Sequence, residues 1–434
     1  MLTTRRVTFR LYPTKKQEKK LHDWRKLHQY LYNACLSHRI TEYRHFGKNI
    51  SYFDQQNCLP EFKKVWPEYK QLGSQALQAT CKRIDYAFQR FFKGLAKFPG
   101  FKSFHRYRGW TYPGLSGWKA DTTGYHGALE LSNLGQIRMR GKVRIWGQPT
   151  TCTIIWKNNK WYCSITVKCE VKRETGTGAC GVDFGTLRAV TFDNSTGIEN
   201  PRFLAKSKDK IAKASRQLRR KRSPNKKKRI KASKRWKKAR QKVSKLQNKV
   251  TNQRQDWQHK VSAQIVSGNS LVATEKLNLK GMTRKAKKRV RNSLIGGECK
   301  THSRQGSKRK NQKTGLNRNL LDVGIGNLTQ LIKYKVEESG GVFVEVPIKI
   351  APSQTCPNCG KKKKKELSER VHNCDCGCVM DRDAAAATVM LNYARGLGAN
   401  LLNRGSQSSG QNHTPKRCGG FAKDWELKRQ KPRT

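Results

Sequence analysis

Acidic residues are scarce in this chain. Its 434 residues include 93 Lys and Arg but only 29 Asp and Glu, which gives a formal net charge of +64. Such self-repulsion is tolerated when a polyanion is nearby, so nucleic acid is the expected partner. A ribosomal protein or a merely solvated basic surface is the alternative. A compact ribosomal protein would need neither this length nor the acidic set at element ends that this sequence carries.

Long apolar runs are also missing. No run approaches the roughly 18 residues of a membrane-spanning helix. The first residues, MLTTRRVTFRLYPTKK, lack the apolar core of a secretion signal. We therefore expect a cytoplasmic protein. In a reducing compartment, most of its 14 cysteines should be free thiols.

The first 173 residues predict a β-barrel with a helical insertion. Residues 6–12 alternate apolar and polar side chains, as a half-buried strand does. Residues 98–170 return to this period of two, with a hairpin turn at Asn158-Asn159. Between them the apolar spacing is helical, with a second helix over Ser74–Leu95. We predict a barrel formed by residues 1–12 and 98–173, with a helical recognition insertion at 13–97.

Aromatic residues interleaved with Lys and Arg follow the insertion. They could stack nucleic-acid bases, but we favour a role in the barrel core. They are Phe98, Phe101, Phe104, Tyr107, Trp110 and Tyr112.

The remaining chain predicts alternating strands and helices. A two-strand hairpin begins at Cys180, and residues 206–266 predict a basic antiparallel helical pair that contacts nucleic acid. The other predicted segments are a short strand at Leu271–Thr274, a flexible basic segment at 282–318, a helix over Asp322–Glu338, a strand over Gly341–Val346 and a disordered basic tail at 396–434.

Four cysteines near the C-terminus have the spacing of a zinc knuckle. Cys356 and Cys359 form a C-x₂-C pair, and Cys374 and Cys376 follow after 14 residues. Four thiolates at this spacing can close a tetrahedral zinc site with a structural role, because no position stays open for water. Zinc is favoured over disulfides in a reducing compartment. Cys378 could replace either ligand of the second pair.

Three carboxylates stand at the ends of predicted elements. Asp183 ends or interrupts the first strand of the second half, Glu275 ends the strand LVAT, and Asp383 starts a helix with four alanines. If these elements neighbour one another in one α/β sheet, the carboxylates meet at one edge. Their repulsion would then favour a divalent cation, and hard oxygen ligands suit Mg²⁺ or Mn²⁺. A lone Asp at a strand end can equally be a turn residue or a helix cap.

The order of the motifs resembles one family. GVDFGT, NPRFLAK before a basic helical pair, TEKLNLKGM and CPNCG…CDCG…DRD occur in that order. Together they resemble the TnpB (OrfB) family encoded by insertion sequences, which is similar to the type V CRISPR effector nucleases. The resemblance covers roughly residues 1–395 and is strongest from Cys180 onward.

The resemblance implies a multidomain α+β protein that cuts DNA with the help of a noncoding guide RNA. It implies an N-terminal oligonucleotide-binding barrel, a RuvC-like nuclease domain of RNase H type at 178–350 and 381–395, and a zinc-finger module at 351–380. Carried over by position, Asp183, Glu275 and Asp383 match the catalytic, Mg²⁺-binding carboxylates. Asp381 is the near competitor, and Asp383 is preferred because it stands directly before the helix.

Three departures from the family pattern affect local geometry. Ala385 stands where the family usually has Asn, the second cysteine pair is C-x-C rather than C-x₂-C, and Lys276 follows Glu275 where an acidic residue is usual. None removes one of the three carboxylates.

The function expected from the sequence is therefore an RNA-guided, divalent-metal-dependent DNA endonuclease of a transposable element. It would act as a monomer with one RNA on double-stranded DNA beside a short adjacent motif. The alternatives are an unguided transposase or resolvase, a guided DNA-binding repressor that does not cut, and a structural RNA-binding protein.

Overall fold

Two β-sheets organise the computed structural model. It describes residues 2–170, 173–225, 230–285, 304–366 and 369–396. Within these ranges the strands are β1 Leu2–Tyr12, β2 Gly109–Tyr112, β3 Trp118–Asp121, β4 Tyr125–Leu131, β5 Gly135–Lys142, β6 Gln148–Lys157, β7 Lys160–Glu170, β8 Gly178–Asp183, β9 Arg188–Phe192, β10 Gly197–Glu199, β11 Asn269–Glu275, β12 Val342–Val346, β13 Val371–Asn373 and β14 Val379–Asp381. The α-helices there are α1 Lys15–Phe46, α2 Tyr52–Asn57, α3 Leu59–Val65, α4 Ser74–Phe92, α5 Phe203–Arg219, α6 Lys234–Gly268, α7 Leu279–Met282, α8 Arg304–Val323, α9 Ile325–Glu338 and α10 Arg382–Ala394.

The first sheet has seven strands in the order β2-β6-β7-β1-β5-β4-β3, and all neighbours are antiparallel. In β1, Val7, Phe9 and Leu11 are buried, whereas the residues between them are more exposed, as the alternation predicts. The predicted hairpin is confirmed: Asn158 and Asn159 join β6 to β7 with φ of 56° and 58°. Asn tolerates this left-handed conformation, which tight hairpin turns need.

The outer strands leave this sheet open in the described part of the chain. There β2 pairs with β6 and β3 pairs with β4, and no pairing between β2 and β3 closes a ring. The barrel therefore stays a prediction. The assembly around the sheet is a mixed α+β structure.

The helices of the insertion share one core with this sheet. Helix α1 starts with a capping box between Thr14 and Gln17, and it ends at Gly47, whose φ is +64°. Trp24 on α1 and Leu77 on α4 are fully buried in the same cluster as the apolar residues of β1. The insertion thus packs onto the sheet as part of one hydrophobic body.

The second sheet has five strands in the order β10-β9-β8-β11-β12. β8, β9 and β10 are antiparallel neighbours, whereas β8, β11 and β12 run parallel. Helices α6 and α9 cover one face, where Val182 and Val272 are buried. Helix α10 covers the other face, where Ala273 and Val346 are buried. Adjacent residues of β11, Val272 and Ala273, therefore pack in two different hydrophobic cores.

Two sequence predictions differ from the structure in this region. Of the segment 282–318, predicted to be flexible, residues 286–303 lie outside the described residues, and from Arg304 onward the prediction is wrong because these residues form the first part of helix α8. The single helix predicted over Asp322–Glu338 is interrupted at Gly324, where φ is +69°. Gln258 stabilises the break, because its side-chain Nε2 donates to the carbonyl oxygens of Val323 and Gly324. The predicted tail lies outside the described residues except for Gly396.

None of the helices in the described ranges is long and apolar enough to cross a membrane.

Candidate active site and cysteine cluster

The ends of two adjacent parallel strands bring Asp183 and Glu275 together. The register pairs Val182 of β8 with Thr274 of β11, so the next residues along the two strands are Asp183 and Glu275. Side chains alternate along a strand. Because Val182 faces the α6 and α9 side, Asp183 and Glu275 face the side that α10 covers.

Helix α10 carries Asp383 to the same edge. It lies so close to β8 that a Cβ atom on Gly181 would be 1.8 Å from the carbonyl oxygen of Ala387. Asp383 precedes Ala387 by one helical turn, about 6 Å along the axis. Asp183 follows Gly181 by two strand residues, about 6.6 Å. The close contact at Gly181 thus places the first turn of α10 beside the end of β8.

Asp381 and Asp383 have different tasks in this turn. Asp381 is the N-cap of α10, and its Oδ1 accepts hydrogen bonds from the backbone N–H groups of Asp383 and Ala384 at 2.9 and 3.1 Å. The prediction that Asp383 stands directly before the helix is wrong: α10 begins at Arg382, Asp381 is the residue before it, and Asp383 lies in the first helical turn. The Asp381 carboxylate is therefore engaged by the helix end, whereas the Asp383 charge acts on Asp183.

Electrostatics link the three carboxylates. Burial, and then the charges of Asp383 and Glu275, raise the pKa of Asp183 to about 7, against the lowering effect of a Phe184 backbone hydrogen bond and of Arg382. Burial also raises the pKa of Glu275. A bound cation would stabilise the ionised form of these acids, because it cancels the repulsion between the carboxylates.

In this structure the oxygens of the three carboxylates are not all close enough to bind one shared ion. Across the described ranges, the residue groups whose ligand atoms all lie within 4.8 Å of one another are two cysteine-containing sets, and the three carboxylates are not among them. Their charge and oxygen chemistry fit a hard divalent ion. A shared ion would have to draw the side chains closer.

The four predicted zinc ligands do form one cluster. The sulfur atoms of Cys356, Cys359, Cys374 and Cys376 all lie within 4.8 Å of one another. The Cys356–Cys376 and Cys359–Cys374 sulfur distances are 3.5 and 3.6 Å. Sulfurs bound to one tetrahedral zinc at 2.3 Å would be about 3.8 Å apart, so the cluster fits that ion.

The cluster is held by a tight turn and a hairpin. The N–H of Cys356 donates to Lys361 O, the N–H of Gly360 donates to Cys356 O, and β13 pairs with β14 on the other side. Burial alone would raise the pKa of Cys356, but hydrogen bonds from the Cys359 backbone, from His372 and from neighbouring groups lower it to about 5. A thiolate at this position is the form that binds metal.

His372 is the ligand candidate that the sequence reasoning missed. It is 2% exposed and lies with Cys356 and Cys378 in a second group whose ligand atoms are all within 4.8 Å. The signal was its position two residues before Cys374. Arg382, whose charge acts on Asp183, was also missed.

The basic helices α5 and α6 pack against each other. In α6, Val243 and Val250 are buried seven residues apart, and α5 packs beside this helix. This confirms a packed helical pair.

Five consecutive lysines, residues 361–365, lie in the cysteine module. Lys361 pairs with Asp375 at 2.6 Å, and Lys365 contacts His372.

The six interleaved aromatic residues differ in exposure, and Phe104 is intermediate. Tyr107, Trp110 and Tyr112 are at most 3% exposed, so the core prediction is confirmed for them. It is wrong for Phe98 and Phe101, which are 52% and 57% exposed. Those two precede β2, outside the alternating pattern that buries side chains on one face of the sheet.

Three family models match parts of this chain. "Probable transposase" matches residues 163–286, "Cas12f1-like, TNB domain" matches 326–390, and "Helix-turn-helix domain" matches 1–48. The last range is one strand followed by one long helix in this structure.

Similar curated proteins cover most of the chain. "Putative RNA-guided DNA endonuclease InsQ" of Escherichia coli (strain K12) is 28% identical over 84% of this chain and 86% of its own length. "Putative RNA-guided DNA endonuclease" of Streptomyces pristinaespiralis is 27% identical over 92% of this chain and 91% of its own length.

A solved structure shares the fold. The protein in the cryo-EM structure of a Cas12f1–sgRNA–target DNA complex aligns with a TM-score of 0.50 and 11% identity, over 90% of this chain and 99% of its own. These similarities agree with the TnpB (OrfB) family that the motifs predict.

Proposed function

We propose that this chain is an RNA-guided, divalent-metal-dependent DNA endonuclease encoded by a transposable element. It cuts target DNA beside a short adjacent motif by phosphodiester hydrolysis. The observation that carries the proposal is the convergence of Asp183, Glu275 and Asp383 on one edge of a sheet, in a chain with a net charge of +64. The names of its curated relatives support the guided activity.

We assign Asp183, Glu275 and Asp383 as the catalytic residues and as the ligands of Mg²⁺ or Mn²⁺. The charges of Asp383 and Glu275 raise the pKa of Asp183, and a bound cation would relieve this repulsion. When bound, divalent ions in such sites activate water and neutralise the leaving oxygen of a phosphodiester. Asp383 rather than Asp381 takes this role, since Asp381 caps α10 through its Oδ1.

The remaining parts have supporting roles in this proposal. The first sheet with its insertion (1–12, 98–173 and 13–97) and the α5–α6 pair would bind the guide RNA and the target DNA through Lys and Arg. The second sheet with α10 (178–350 and 381–395) would be the RuvC-like nuclease domain. Its central parallel strands with antiparallel neighbours support an RNase H-type arrangement.

The cysteine module at 351–380 would be a structural zinc finger. Four protein thiolates complete a tetrahedral shell and leave no position for a reacting water. The module joins β12 to α10, so a folded finger fixes where α10, and with it Asp383, begins. We expect a monomer with one noncoding guide RNA in the cytoplasm, bound to the nucleoid when it engages DNA.

The test is to sequence the RNA that copurifies with the full chain and to challenge that complex with a randomised double-stranded DNA library in Mg²⁺. We expect one enriched RNA and cutting only where DNA complementary to it lies beside a common short motif. Asp183→Ala should abolish cutting and keep the RNA. Glu199→Gln is the matched control, because this carboxylate lies on the edge strand β10 and is 80% exposed.

Other outcomes would contradict the proposal in distinct ways. Cutting that survives removal of the RNA would indicate an unguided transposase or resolvase. Specific binding of the target without any nick would indicate a guided repressor. Binding of RNA with no effect of divalent ions or of target DNA would indicate a structural RNA-binding protein.

A further inference from the structure

A second group of metal-ligand side chains lies beneath the four-cysteine cluster. Cys356, His372 and Cys378 each offer one ligand atom, and these atoms all lie within 4.8 Å of one another. The three residues are 0%, 2% and 8% exposed. We call them the inner set. The outer set is the four-cysteine cluster itself, and Cys356 belongs to both.

The hairpin of β13 and β14 positions the inner set. His372 lies in the middle of β13, where it pairs with Met380, and Cys378 immediately precedes β14. The N–H of Cys374 donates to Cys378 O at 3.1 Å, which holds the two cysteine-bearing strand ends together. The position of the inner set therefore depends on backbone pairing and not on a mobile loop.

The imidazole of His372 is the nitrogen donor of the inner set. Its Nδ1 contacts the amine of Lys365, and the ring also stabilises the thiolate form of Cys356 by a hydrogen bond. A metal ion bound to the Cys356 thiolate would replace that hydrogen bond by a bond to the ring nitrogen, since a neutral imidazole is a common zinc ligand.

The two sets differ in exposure. In the outer set, Cys359 and Cys376 are exposed and Cys374 is intermediate, so Cys356 is its one buried member. The inner set adds two more buried donors, a thiol and an imidazole. With Cys356, the inner set offers two thiolates and one imidazole, three of the four ligands of a structural zinc site. A remaining thiolate of the outer set or a water would supply the fourth.

We propose that His372 and Cys378 are reserve ligands of the cysteine module. A single Zn²⁺ passes from the outer to the inner set when an exposed thiolate of the outer set is lost, with Cys356 as the shared ligand. Exposed thiolates are the ones most accessible to oxidation and modification, so the inner set would preserve the metal when they are damaged. The inference rests on the zinc assignment and is independent of guided cutting.

The experiment compares zinc bound by the purified full chain in five forms: wild type, Cys376→Ser, Cys378→Ser, the double cysteine variant Cys376→Ser/Cys378→Ser, and Cys376→Ser/His372→Gln. Zinc per chain is measured by mass spectrometry of the metal, and affinity is measured by competition with a chelator. X-ray absorption at the zinc edge counts sulfur and nitrogen neighbours. Cys58→Ser is the control for a cysteine change, because Cys58 is exposed and lies outside both sets.

We expect one zinc with four sulfur neighbours in the wild type and in Cys378→Ser. Cys376→Ser should keep one zinc but gain a nitrogen neighbour, and adding His372→Gln should remove that nitrogen. The double cysteine variant should bind zinc on the order of 100-fold more weakly than Cys376→Ser, since it loses a ligand of each set.

Two results would overturn the inference. One is loss of zinc from Cys376→Ser as complete as from the double cysteine variant. The other is retention of zinc by the double cysteine variant with the affinity of Cys376→Ser. A wild type without zinc would overturn the zinc assignment as well, whereas failure of guided cutting with the expected zinc pattern would contradict only the proposed nuclease activity.

Discussion

The close contact between Gly181 and helix α10 gives a sharp prediction. In Gly181→Ala, the new Cβ would be 1.8 Å from the Ala387 carbonyl oxygen and 2.6 Å from its carbonyl carbon. An ordinary carbon–oxygen contact is about 3.3 Å, so α10 would have to retreat by about 1.5 Å. The obstacle is helix backbone and cannot rotate aside as a side chain does.

The expected losses follow from this displacement. Overpacking of this kind costs about 1–3 kcal/mol, which for a domain of this size lowers the melting temperature by about 2–12 °C. Asp383 would move with the helix, and a 1 Å misplacement can lower a rate on the order of 100-fold. RNA binding should not change.

Thermal unfolding and single-turnover cleavage of target DNA measure the two effects. Gly268→Ala is the matched control, because a Cβ there meets no atom within 4 Å. If Gly181→Ala unfolds at the same temperature as Gly268→Ala and cuts at the wild-type rate, α10 does not lie against β8 as described.

Three further predictions concern stability. Burial, and then the charge of Arg83, lower the pKa of His28 to about 3, so folded His28 stays neutral at pH values where the unfolded chain binds a proton, below about pH 6.5. The free energy of unfolding should therefore fall by about 2 kcal/mol between pH 7 and pH 5. Denaturant unfolding of His28→Gln at these two pH values should show a smaller fall. Cys356→Ser should lose zinc and stability together, measured by metal analysis and melting temperature, because it removes the ligand common to both sets; full zinc content at unchanged stability would contradict this. Asp322→Ala should cost about 3 kcal/mol in denaturant unfolding, since it leaves the Arg254 guanidinium, now 2.6 Å from that carboxylate, without its partner; a loss below about 1 kcal/mol would refute this role.

Local patterns predicted much of the architecture. Alternation identified β1 and the β6–β7 hairpin, and the pair of Asn residues identified its turn. The seven-residue spacing of Val243 and Val250 identified the packed face of α6. These features depend on neighbouring residues, which the sequence displays directly.

Features that depend on distant residues were not predictable. The break at Gly324 depends on Gln258 from another helix, and a lone glycine in a helical pattern does not reveal such a partner. Similarly, the motif order indicated which carboxylates belong together. Their approach depends on the register of β8 with β11 and on the contact of α10 with Gly181. His372 was missed because its one sequence signal, the position two residues before Cys374, does not by itself indicate a metal ligand.

The rate of target-DNA cutting by single carboxylate variants tests the central claim most directly. In the purified RNA complex with Mg²⁺, Asp183→Ala, Glu275→Ala and Asp383→Ala should each abolish cutting while RNA and target binding remain. Asp381→Ala should lose a helix cap worth about 1 kcal/mol and still cut. Full cutting by Asp383→Ala together with its loss in Asp381→Ala would reverse the choice between them, and full cutting by Asp183→Ala would contradict the account of the active site.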